Sequence, residues 1–315
     1  MKDVIIIGAG TAGLTAAIYA LRAGKSVLVL EQGVYGGQII NTPKVENYPG
    51  IEQISGYEFA SGLYRQAEKL GMEYRGEKVT DIRLEQNNAD TGEKPDASKG
   101  KAEKRIVVET TEQSYETKAV ILATGAKNRP LGIEKEAEFI GKGISYCATC
   151  DGMFFRGKKV AVVGGGNTAL EDAMFLSNYC ETVYLIHRRD AFRGEEKLVR
   201  ELREKENVVF LLNKTVQAIE GEQTLQAVIL KDKNSGEEEK LEISGLFVAI
   251  GQMPANEVFA KLVELDENGY IQAGEDCRTN IEGIFAAGDC RRKNVRQLTT
   301  AAADGAVAAL AAAQL

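Results

Sequence analysis

Histidine is nearly absent from this chain of 315 residues, which contains only His187. A catalytic triad with a histidine base and a structural zinc site both draw on that side chain, so neither is expected. Cysteine is also scarce, and five cysteines, an odd number at low density, do not make the disulfide framework of a small secreted protein. The net charge of −7 argues against a general role in binding nucleic acid.

Long apolar runs are missing as well. No run approaches the roughly 20 residues that a membrane-spanning helix needs, so no membrane association is expected. The opening MKDVIIIGAG is not typical of a signal peptide, because it carries Asp3 and its apolar run ends at glycine after four residues. These absences predict a cytoplasmic protein. A length of 315 residues, with 44% hydrophobic and 27% charged residues, fits an ordinary globular chain of two domains.

The first segment has the pattern of a dinucleotide-binding βαβ unit. Residues 4–7 are a continuous apolar run, which predicts a buried parallel strand, and a helix over about 11–23 and a strand over 26–30 follow. Between the first strand and the helix come the glycines of a G-x-G-x-x-G motif, namely Gly8, Gly10 and Gly13. In this context the glycines let the backbone approach a pyrophosphate at the helix N-terminus. Glu31, at the end of the second strand, is a candidate acceptor for a ribose hydroxyl.

The same plan returns in the middle of the chain. A strand over 160–163, a G-x-G-x-x-A turn, a helix and a strand over 182–186 follow one another. The turn supplies Gly164, Gly166, Asn167 and Thr168, and the basic residues after the second strand are His187, Arg188, Arg189 and Arg193. Cations bind a 2′-phosphate that a carboxylate would repel, so this unit predicts NADPH rather than NADH. For His187, a phosphate contact and a structural role in the turn both stay open.

Two cysteines, Cys147 and Cys150, lie between the glycine motifs in SYCATCDGMFF. A Cys-x-x-Cys pair can bind zinc, staple a loop or shuttle electrons as a disulfide. Structural zinc sites use paired clusters of ligands, whereas the other cysteines are scattered, at Cys180, Cys277 and Cys290. We therefore expect a redox pair and no metal.

Asp151 follows Cys150 directly and is a candidate proton donor and acceptor, although an Asp before Gly152 can also simply form a turn. Between two strand-like runs, the polar segment 85–104, EQNNADTGEKPDASKGKAEK, is interpreted as a mobile hairpin tip.

Across nearly the whole chain these motifs occur in an order that resembles the low-molecular-weight, bacterial-type thioredoxin reductases. The resemblance rests on GAGTAG, YGGQIINTPKVENYPG, ATGA, CATCDG, GGGNTALEDA, HRRDAFR, GIFAAGDC and RQLTTAAADG. One departure is Met153 after CDG, where the family often has an aromatic residue that engages thioredoxin, and the segment 85–104 is longer than usual. The residue Met153 is expected to change partner preference more than activity, and the segment 85–104 has no assigned role.

The resemblance implies an α/β protein with two Rossmann-like, three-layer dinucleotide-binding domains, the NADPH domain being inserted into the FAD domain. The FAD domain would comprise residues 1–127 and 249–315, and the NADPH domain, with the cysteine pair, residues 128–248. The implied FAD residues are Gly8, Gly10, Ala12, Gly13, Glu31, Gly36, Gly37, Gln38, Asn47, Thr124, Gly125, Gly288, Asp289, Arg296, Gln297 and Leu298. The implied NADPH residues are Gly164, Gly166, Asn167, Thr168, His187, Arg188, Arg189 and Arg193.

The implied reaction passes a hydride from NADPH to FAD, then electrons to the Cys147–Cys150 disulfide, and then reduces thioredoxin by thiol exchange. Cys150 would lie next to the flavin, Cys147 would exchange with the substrate and Asp151 would manage the protons. The family is typically homodimeric.

The chain order raises a geometric difficulty for this reaction. The redox pair and the nicotinamide site fall in one domain, and both must reach a single flavin in the other. We therefore expect that domain to rotate about linkers near 127–130 and 249–252.

Alternative hypotheses remain for the electron acceptor, the electron donor and the class of function. The acceptor could be a peroxiredoxin-linked partner, a glutaredoxin-like protein or a small dithiol. Ferredoxin feeds some family members, although the intact second motif weighs against it. A flavin-bound redox sensor without turnover is the alternative from a different class.

Overall fold

The computed structural model describes residues 1–42, 44–86 and 104–315. The chain forms two compact units: Met1–Lys127 with Met253–Leu315, here called the split unit, and Asn128–Gln252, here called the inserted unit. The inserted unit ends at Gln252, four residues beyond the expected residue 248. Strand Gly245–Ala249 and the three residues that follow it belong to this unit. Most of the predicted hairpin tip, residues 87–103, lies outside the described residues.

The split unit is built on a seven-stranded sheet. Its strands are Lys2–Ile7, Val27–Leu30, Glu73–Arg75, Val79–Gln86, Lys104–Thr110, Ser114–Leu122 and Ile284–Ala286. The first strand pairs in parallel with Val27–Leu30 on one side and with Ser114–Leu122 on the other. The strands Val79–Gln86 and Lys104–Thr110 extend the sheet as an antiparallel hairpin.

Both faces of this sheet are buried, which explains the continuous apolar strands. Val4 and Ile6 pack in one core, beneath the helices, while Ile5 and Ile7 pack in a second core on the opposite face. The helices of this unit are Thr11–Arg22, Gly56–Lys69 and Leu298–Ala312, with short 3-10 turns at Gly37–Asn41, Glu257–Phe259 and Gly288–Cys290. Alternate residues of one strand therefore stabilise two different layers, and the unit has three layers in all.

The inserted unit contains a parallel five-stranded sheet in the order Val208–Leu212, Thr182–His187, Lys159–Gly164, Gly245–Ala249 and Ile144–Ser145. A three-stranded antiparallel sheet follows, formed by Lys214–Gly221, Leu225–Asp232 and Glu238–Glu242. The helices are Glu136–Phe139, Ala148–Asp151, Asn167–Ser177 and Glu196–Arg203, with a 3-10 turn at Gly152–Phe155. Short strands Ala126–Asn128 and Gln252–Pro254 pair where the chain passes between the units.

The predicted α/β fold with two Rossmann-like units is confirmed, and the sheet of the split unit is mixed because its hairpin strands pair antiparallel. The first helix ends at Arg22 rather than at the predicted residue 23, and the last helix covers Leu298–Ala312. Among the described residues, none of the helices combines the length and the apolar character that a bilayer crossing would require.

The last helix approaches the first helix closely at Gly305. A Cβ placed there would lie 2.2 Å from the carbonyl oxygen of Ala12. We expect Gly305→Ala to force the two helices apart and to lower the free energy of unfolding by about 1–3 kcal/mol. The matched control is Gly62→Ala, on helix Gly56–Lys69, where nothing lies within 4 Å of the added carbon.

That control is expected to raise stability by about 0.5–1 kcal/mol, because alanine loses less backbone freedom than glycine in a helix. Thermal and urea unfolding of the two variants measure the difference. Equal stability of Gly305→Ala and the parent protein would contradict the assigned helix contact.

Candidate functional site

In the split unit, the first glycine turn leaves the N-terminus of helix Thr11–Arg22 open. Gly8 has φ +105°, and a Cβ at Gly13 would lie 1.9 Å from the Gly8 carbonyl oxygen, so strand and helix can meet this closely only through glycine. Gly10 precedes the helix, and no side chain caps it. The first amides of the helix therefore have no side-chain acceptor, which is the arrangement that binds a pyrophosphate.

Glu31 lies at the edge of this turn, immediately after strand Val27–Leu30. Its carboxylate accepts hydrogen bonds from the Ala9 amide at 2.9 Å and from the Gly33 amide at 3.0 Å. These bonds orient both oxygens and leave further lone pairs for ribose hydroxyls. The structure thus gives the predicted Glu31 a fixed position beside the glycines.

Asp289 and Arg296 present buried polar atoms without partners. Among the described residues, neither Asp289 Oδ1 nor Arg296 Nε has a hydrogen-bond partner. Burial raises the pKa of Asp289, and the charge of Arg296 is near enough to act against that shift. An unpaired buried polar atom costs about 1–3 kcal/mol, so an acceptor and a donor left together indicate a polar ligand. The residues therefore fit a cofactor that carries hydroxyl and phosphate groups.

Tyr270, which the sequence reading missed, holds this arginine. The guanidinium of Arg296 lies 4.2 Å from the centre of the Tyr270 ring, within cation–π distance. Tyr270 is itself 9% exposed. The stacked ring thus limits where the Arg296 fork can point.

A buried carboxylate, Asp304, organises the Gly288–Cys290 turn. It accepts hydrogen bonds from the Gly288 amide at 2.9 Å, from two nitrogens of Arg291 at 2.8 Å each, and from Lys293 at 2.8 Å. Burial alone would raise the pKa of Asp304, but the bonds from Arg291 and Lys293 outweigh it and hold the pKa below its ordinary value. Asp304 therefore fixes the turn that carries Asp289 against the last helix.

Asn256 joins two further turns of the predicted flavin site. Its Oδ1 accepts from the Thr124 hydroxyl at 3.1 Å, and its Nδ2 donates to the carbonyls of Gly269 at 2.9 Å and Cys290 at 2.8 Å. The ATGA turn, with Thr124 and Gly125, is thereby tied to the Gly288–Cys290 turn. The sequence analysis gave no role to Asn256 or to Asp304, although Asp304 lies in the RQLTTAAADG motif.

The other predicted flavin residues lie around these turns. Gln38 donates to the carbonyl of Ala126, and Asn47 donates to Gln297 Oε1 at 3.1 Å. Ala12 lies close to Gly288, since a Cβ added at Gly288 would be 2.8 Å from the methyl group of Ala12. Gly36 and Gly37 begin the 3-10 turn, and Leu298 begins the last helix.

In the inserted unit, His187 lies beneath the second glycine turn. A Cβ at Gly165 would lie 2.0 Å from the imidazole Cε1, and the ring stacks on Phe192 with centroids 5.0 Å apart. Nε2 is 3.1 Å from the Ala191 carbonyl oxygen, and burial lowers the pKa of His187. The ring is 6% exposed, so the structure gives it a packing role in the turn. Its contact with phosphate stays a prediction.

The three arginines that follow are exposed beside this turn. The Arg193 amide donates to the Gly165 carbonyl at 2.7 Å, which fixes its backbone against the glycines. Among the residues that the structure describes, no carboxylate forms an ion pair with Arg188, Arg189 or Arg193. Free guanidinium groups at the end of the second strand are suited to an anionic ligand.

Asn167 links the helix to the loop of the arginines. Its Oδ1 accepts from the Glu195 amide at 2.8 Å, and its Nδ2 donates to the Glu195 carboxylate at 3.2 Å. Gly166 precedes helix Asn167–Ser177 without a side-chain cap, and Thr168 is exposed in its first turn. Both units thus begin the helix after their glycine turn without a side-chain cap.

Cys147 and Cys150 form a disulfide, with their Cα atoms 5.3 Å apart. Helix Ala148–Asp151 follows Cys147, and Asp151 Oδ2 accepts a hydrogen bond from the Ser145 hydroxyl at 2.7 Å. Burial raises the pKa of Asp151, and the Ser145 bond acts in the opposite direction. The remaining cysteines, Cys180, Cys277 and Cys290, are free and buried.

Two dinucleotide-type turns and one exchangeable disulfide define a class of electron-transfer protein. The sequence profile of the family described as pyridine nucleotide-disulphide oxidoreductase matches residues 2–305. The chain belongs to this family. Membership implies a flavin and a nicotinamide dinucleotide, and the residues described above fit both.

Similar proteins extend over almost the whole chain. A thioredoxin reductase of Bacillus subtilis (strain 168) is 42% identical over 308 residues, covering 98% of this chain and 92% of that protein. One from Treponema pallidum (strain Nichols) is 42% identical over 312 residues, covering 99% and 96%. The crystal structure of thioredoxin reductase from Streptococcus pyogenes MGAS5005 matches with a TM-score of 0.89 at 38% identity, covering 99% of this chain and 97% of that one.

The Asp304 cluster predicts a dependence of stability on pH. Because the pKa of Asp304 is lowered in the folded protein, its stabilisation is fully present above the unfolded value of about 3.9 and is lost as the pH falls through the folded value. Asp304→Asn leaves Arg291 and Lys293 buried without a counter-charge, so we expect it to cost about 3–5 kcal/mol at neutral pH.

Unfolding midpoints of Asp304→Asn and the parent protein, measured from pH 7 downward, test this prediction. The difference in stability between the two proteins should narrow below about pH 4. The exposed Asp276→Asn is the matched control and should follow the parent protein. A deficit that stays constant across the acid range would show that the charge of Asp304 is not responsible.

Proposed function

We propose that this chain is an NADPH-dependent thioredoxin reductase that uses FAD. The observation that carries the proposal is the Cys147–Cys150 disulfide in the same unit as the basic, phosphate-suited glycine turn. The relatives that are named thioredoxin reductases support thioredoxin as the substrate, since they match over nearly the full length. The product is then reduced thioredoxin, formed by thiol–disulfide exchange at the cysteine pair.

FAD is the flavin that the split unit fits best. The open helix N-terminus after Gly10 would take the pyrophosphate, Glu31 a ribose, and Asp289 the polyhydroxyl chain, whose hydroxyls would satisfy Oδ1. Bound there, FAD supplies the two-electron chemistry that links a nicotinamide to a disulfide. The residues of the split unit would bind and orient FAD and exclude water from it.

NADPH is proposed for the inserted unit because of its three exposed arginines. Replacing Arg188 and Arg189 by Gln should raise the KM for NADPH about 10- to 100-fold, since hydrogen bonds to charged groups contribute about 1.5–3 kcal/mol. The KM for NADH should change little, because NADH lacks the 2′-phosphate.

The matched control is Arg203→Gln, at the end of helix Glu196–Arg203, which should leave both values unchanged. Steady-state kinetics with NADPH and with NADH give the two KM values for each variant. An equal loss with NADPH and NADH would contradict the assignment of the 2′-phosphate to these arginines.

Assignment of FAD to the split unit and NADPH to the inserted unit makes movement between the units part of the proposal. Cys150 and Gly164 belong to one unit, and both the disulfide and the nicotinamide must reach a flavin held by the other. We propose rotation of the inserted unit about the paired connections Ala126–Asn128 and Gln252–Pro254.

A cleavable cross-link between the two units should abolish turnover while one half-reaction survives, and cleavage should restore activity. The half-reactions are flavin reduction by NADPH and exchange at the cysteine pair, measured separately by rapid mixing. Full turnover of the cross-linked protein would exclude the rotation.

The decisive experiment is an anaerobic titration of the purified protein with NADPH and then NADH, followed by its visible spectrum. A yellow protein that NADPH bleaches, and that reduces thioredoxin only when both cysteines are present, is the expected result. Cys147→Ser and Cys150→Ser provide the comparison. A yellow protein inert to NADPH would overturn the proposal in favour of ferredoxin as donor or a sensor role.

The physiological setting forms a further part of the proposal. We place the protein in the cytoplasm, where its three free cysteines stay reduced, and we expect a homodimer, as in the family it resembles. Rates with thioredoxin, a glutaredoxin-like protein and a small disulfide compare the acceptors. Sedimentation of the purified protein measures its oligomeric state.

A further inference from the structure

Ser145 stands at the point where the central sheet of the inserted unit meets the redox motif. It is the last residue of strand Ile144–Ser145, is 4% exposed and pairs with Phe247 in the parallel sheet. Its hydroxyl oxygen accepts from the Cys147 amide at 3.0 Å. The sheet therefore holds this hydroxyl rigidly against the first cysteine of the pair.

The same hydroxyl has two acceptors within reach but only one proton to donate. Asp151 Oδ2 lies at 2.7 Å and the Cys147 carbonyl oxygen at 3.3 Å. The other carboxylate oxygen, Asp151 Oδ1, has no hydrogen-bond partner among the described residues. One oxygen of Asp151, Oδ2, is thus held by Ser145.

Two arrangements of protons allow Ser145, Asp151 Oδ2 and the Cys147 backbone to form hydrogen bonds without any movement of their heavy atoms. When Asp151 is ionised, the serine proton points to Oδ2. When Asp151 is protonated at Oδ2, that proton can point to the serine oxygen, while the serine proton turns to the Cys147 carbonyl. In both arrangements the serine oxygen also accepts from the Cys147 amide, so the Ser145 hydroxyl and Asp151 Oδ2 stay hydrogen-bonded to each other.

We propose that Ser145 is a positioning residue for proton transfer, holding Asp151 in one place in both of its protonation states by reversing a single hydrogen bond. The inference rests on the proton-transfer role proposed for Asp151 and specifies how the protein supports that role.

Thiol–disulfide exchange needs such a group. The Cys147 thiol loses a proton, its thiolate attacks a substrate sulfur, and one substrate thiolate leaves and takes up a proton. The Cys150 thiolate then attacks Cys147, the mixed disulfide breaks, and the second substrate thiolate leaves and is protonated. Two electrons and two protons pass from the dithiol to the substrate disulfide. Asp151 can accept a proton from an attacking thiol and return one to a leaving thiolate.

Other titratable groups lie on the elements packed against Asp151. Helix Asn167–Ser177 carries Glu171 and Asp172, and burial, followed by the charge of Glu171, raises the pKa of Asp172 to about 7. Tyr179 and Arg156 lie just beyond, and the 3-10 turn Gly152–Phe155 carries no titratable side chain. Asp172 can therefore contribute to a pH profile near neutrality, and the experiment has to separate its effect from that of Asp151.

The test follows exchange directly and not turnover. The full-length holoprotein is reduced anaerobically, mixed once with 2-hydroxyethyl disulfide from pH 5 to 9, quenched with acid and labelled at its free thiols. Ser145→Ala removes a hydrogen bond that is stronger to the ionised carboxylate than to the neutral acid, so the midpoint of the pH–rate profile should move up by about one unit. Ser145→Thr, which retains the hydroxyl, should restore the parent midpoint.

Two controls make the result specific. Ser177→Ala removes another buried hydroxyl of this unit, one that donates to the Met174 carbonyl at 2.8 Å, and should leave the midpoint unchanged. In an Asp151→Asn background, Ser145→Ala should produce no further shift. Unfolding midpoints verify that each variant folds, and Ser145→Gly serves as a second variant without the hydroxyl.

An unchanged midpoint in folded Ser145→Ala and Ser145→Gly would overturn the proposal, as would a shift that persists in the Asp151→Asn background. The experiment also distinguishes failure of the role of Asp151 from failure of the inference about Ser145. If Asp151→Asn alone leaves the profile unchanged, the role of Asp151 itself fails, whereas a profile altered by Asp151→Asn but insensitive to Ser145 rejects only the inference about Ser145.

Discussion

One buried carboxylate, Asp304, determines how the parts of the split unit's candidate site come together. It neutralises Arg291 and Lys293 and binds the Gly288 amide, so the last helix and the Gly288–Cys290 turn form one rigid body. The same helix begins beside Arg296 and Gln297 and packs against the first helix at Gly305. The segments of the candidate site in the split unit are thus held together by the charge cluster of Asp304, Arg291 and Lys293.

The two units use the same backbone device with different charges. Each ends a parallel strand in glycines and presents an uncapped helix N-terminus, which attracts any pyrophosphate. The residue at the end of the next strand then decides what else can bind. In the split unit it is a carboxylate oriented by two amides, and in the inserted unit it is a group of unpaired arginines around a buried histidine. In the proposed function, this difference of a few side chains separates a ribose acceptor from a phosphate receptor.

The redox motif shows how a reactive pair is built on a rigid support. The strand before it belongs to the parallel sheet, and the short helix after Cys147 brings Asp151 back to the serine that ends the strand. A sheet residue, a cysteine and an acid therefore share hydrogen bonds within seven residues of chain, from Ser145 to Asp151. Such a compact network allows protons to move while the heavy atoms stay in place.

The sequence alone predicted the α/β fold, the two glycine turns and the cysteine pair, because glycine motifs, apolar strands and a Cys-x-x-Cys spacing are local patterns. The bonds of Asn256 to Thr124 and of Asp304 to Arg291 join residues that are 132 and 13 positions apart, and no local pattern encodes them. His187 was ambiguous in the sequence because a histidine beside arginines suits either a phosphate or a core. Only the tertiary structure decided that its ring is buried, since burial depends on which distant side chains fill the space around it.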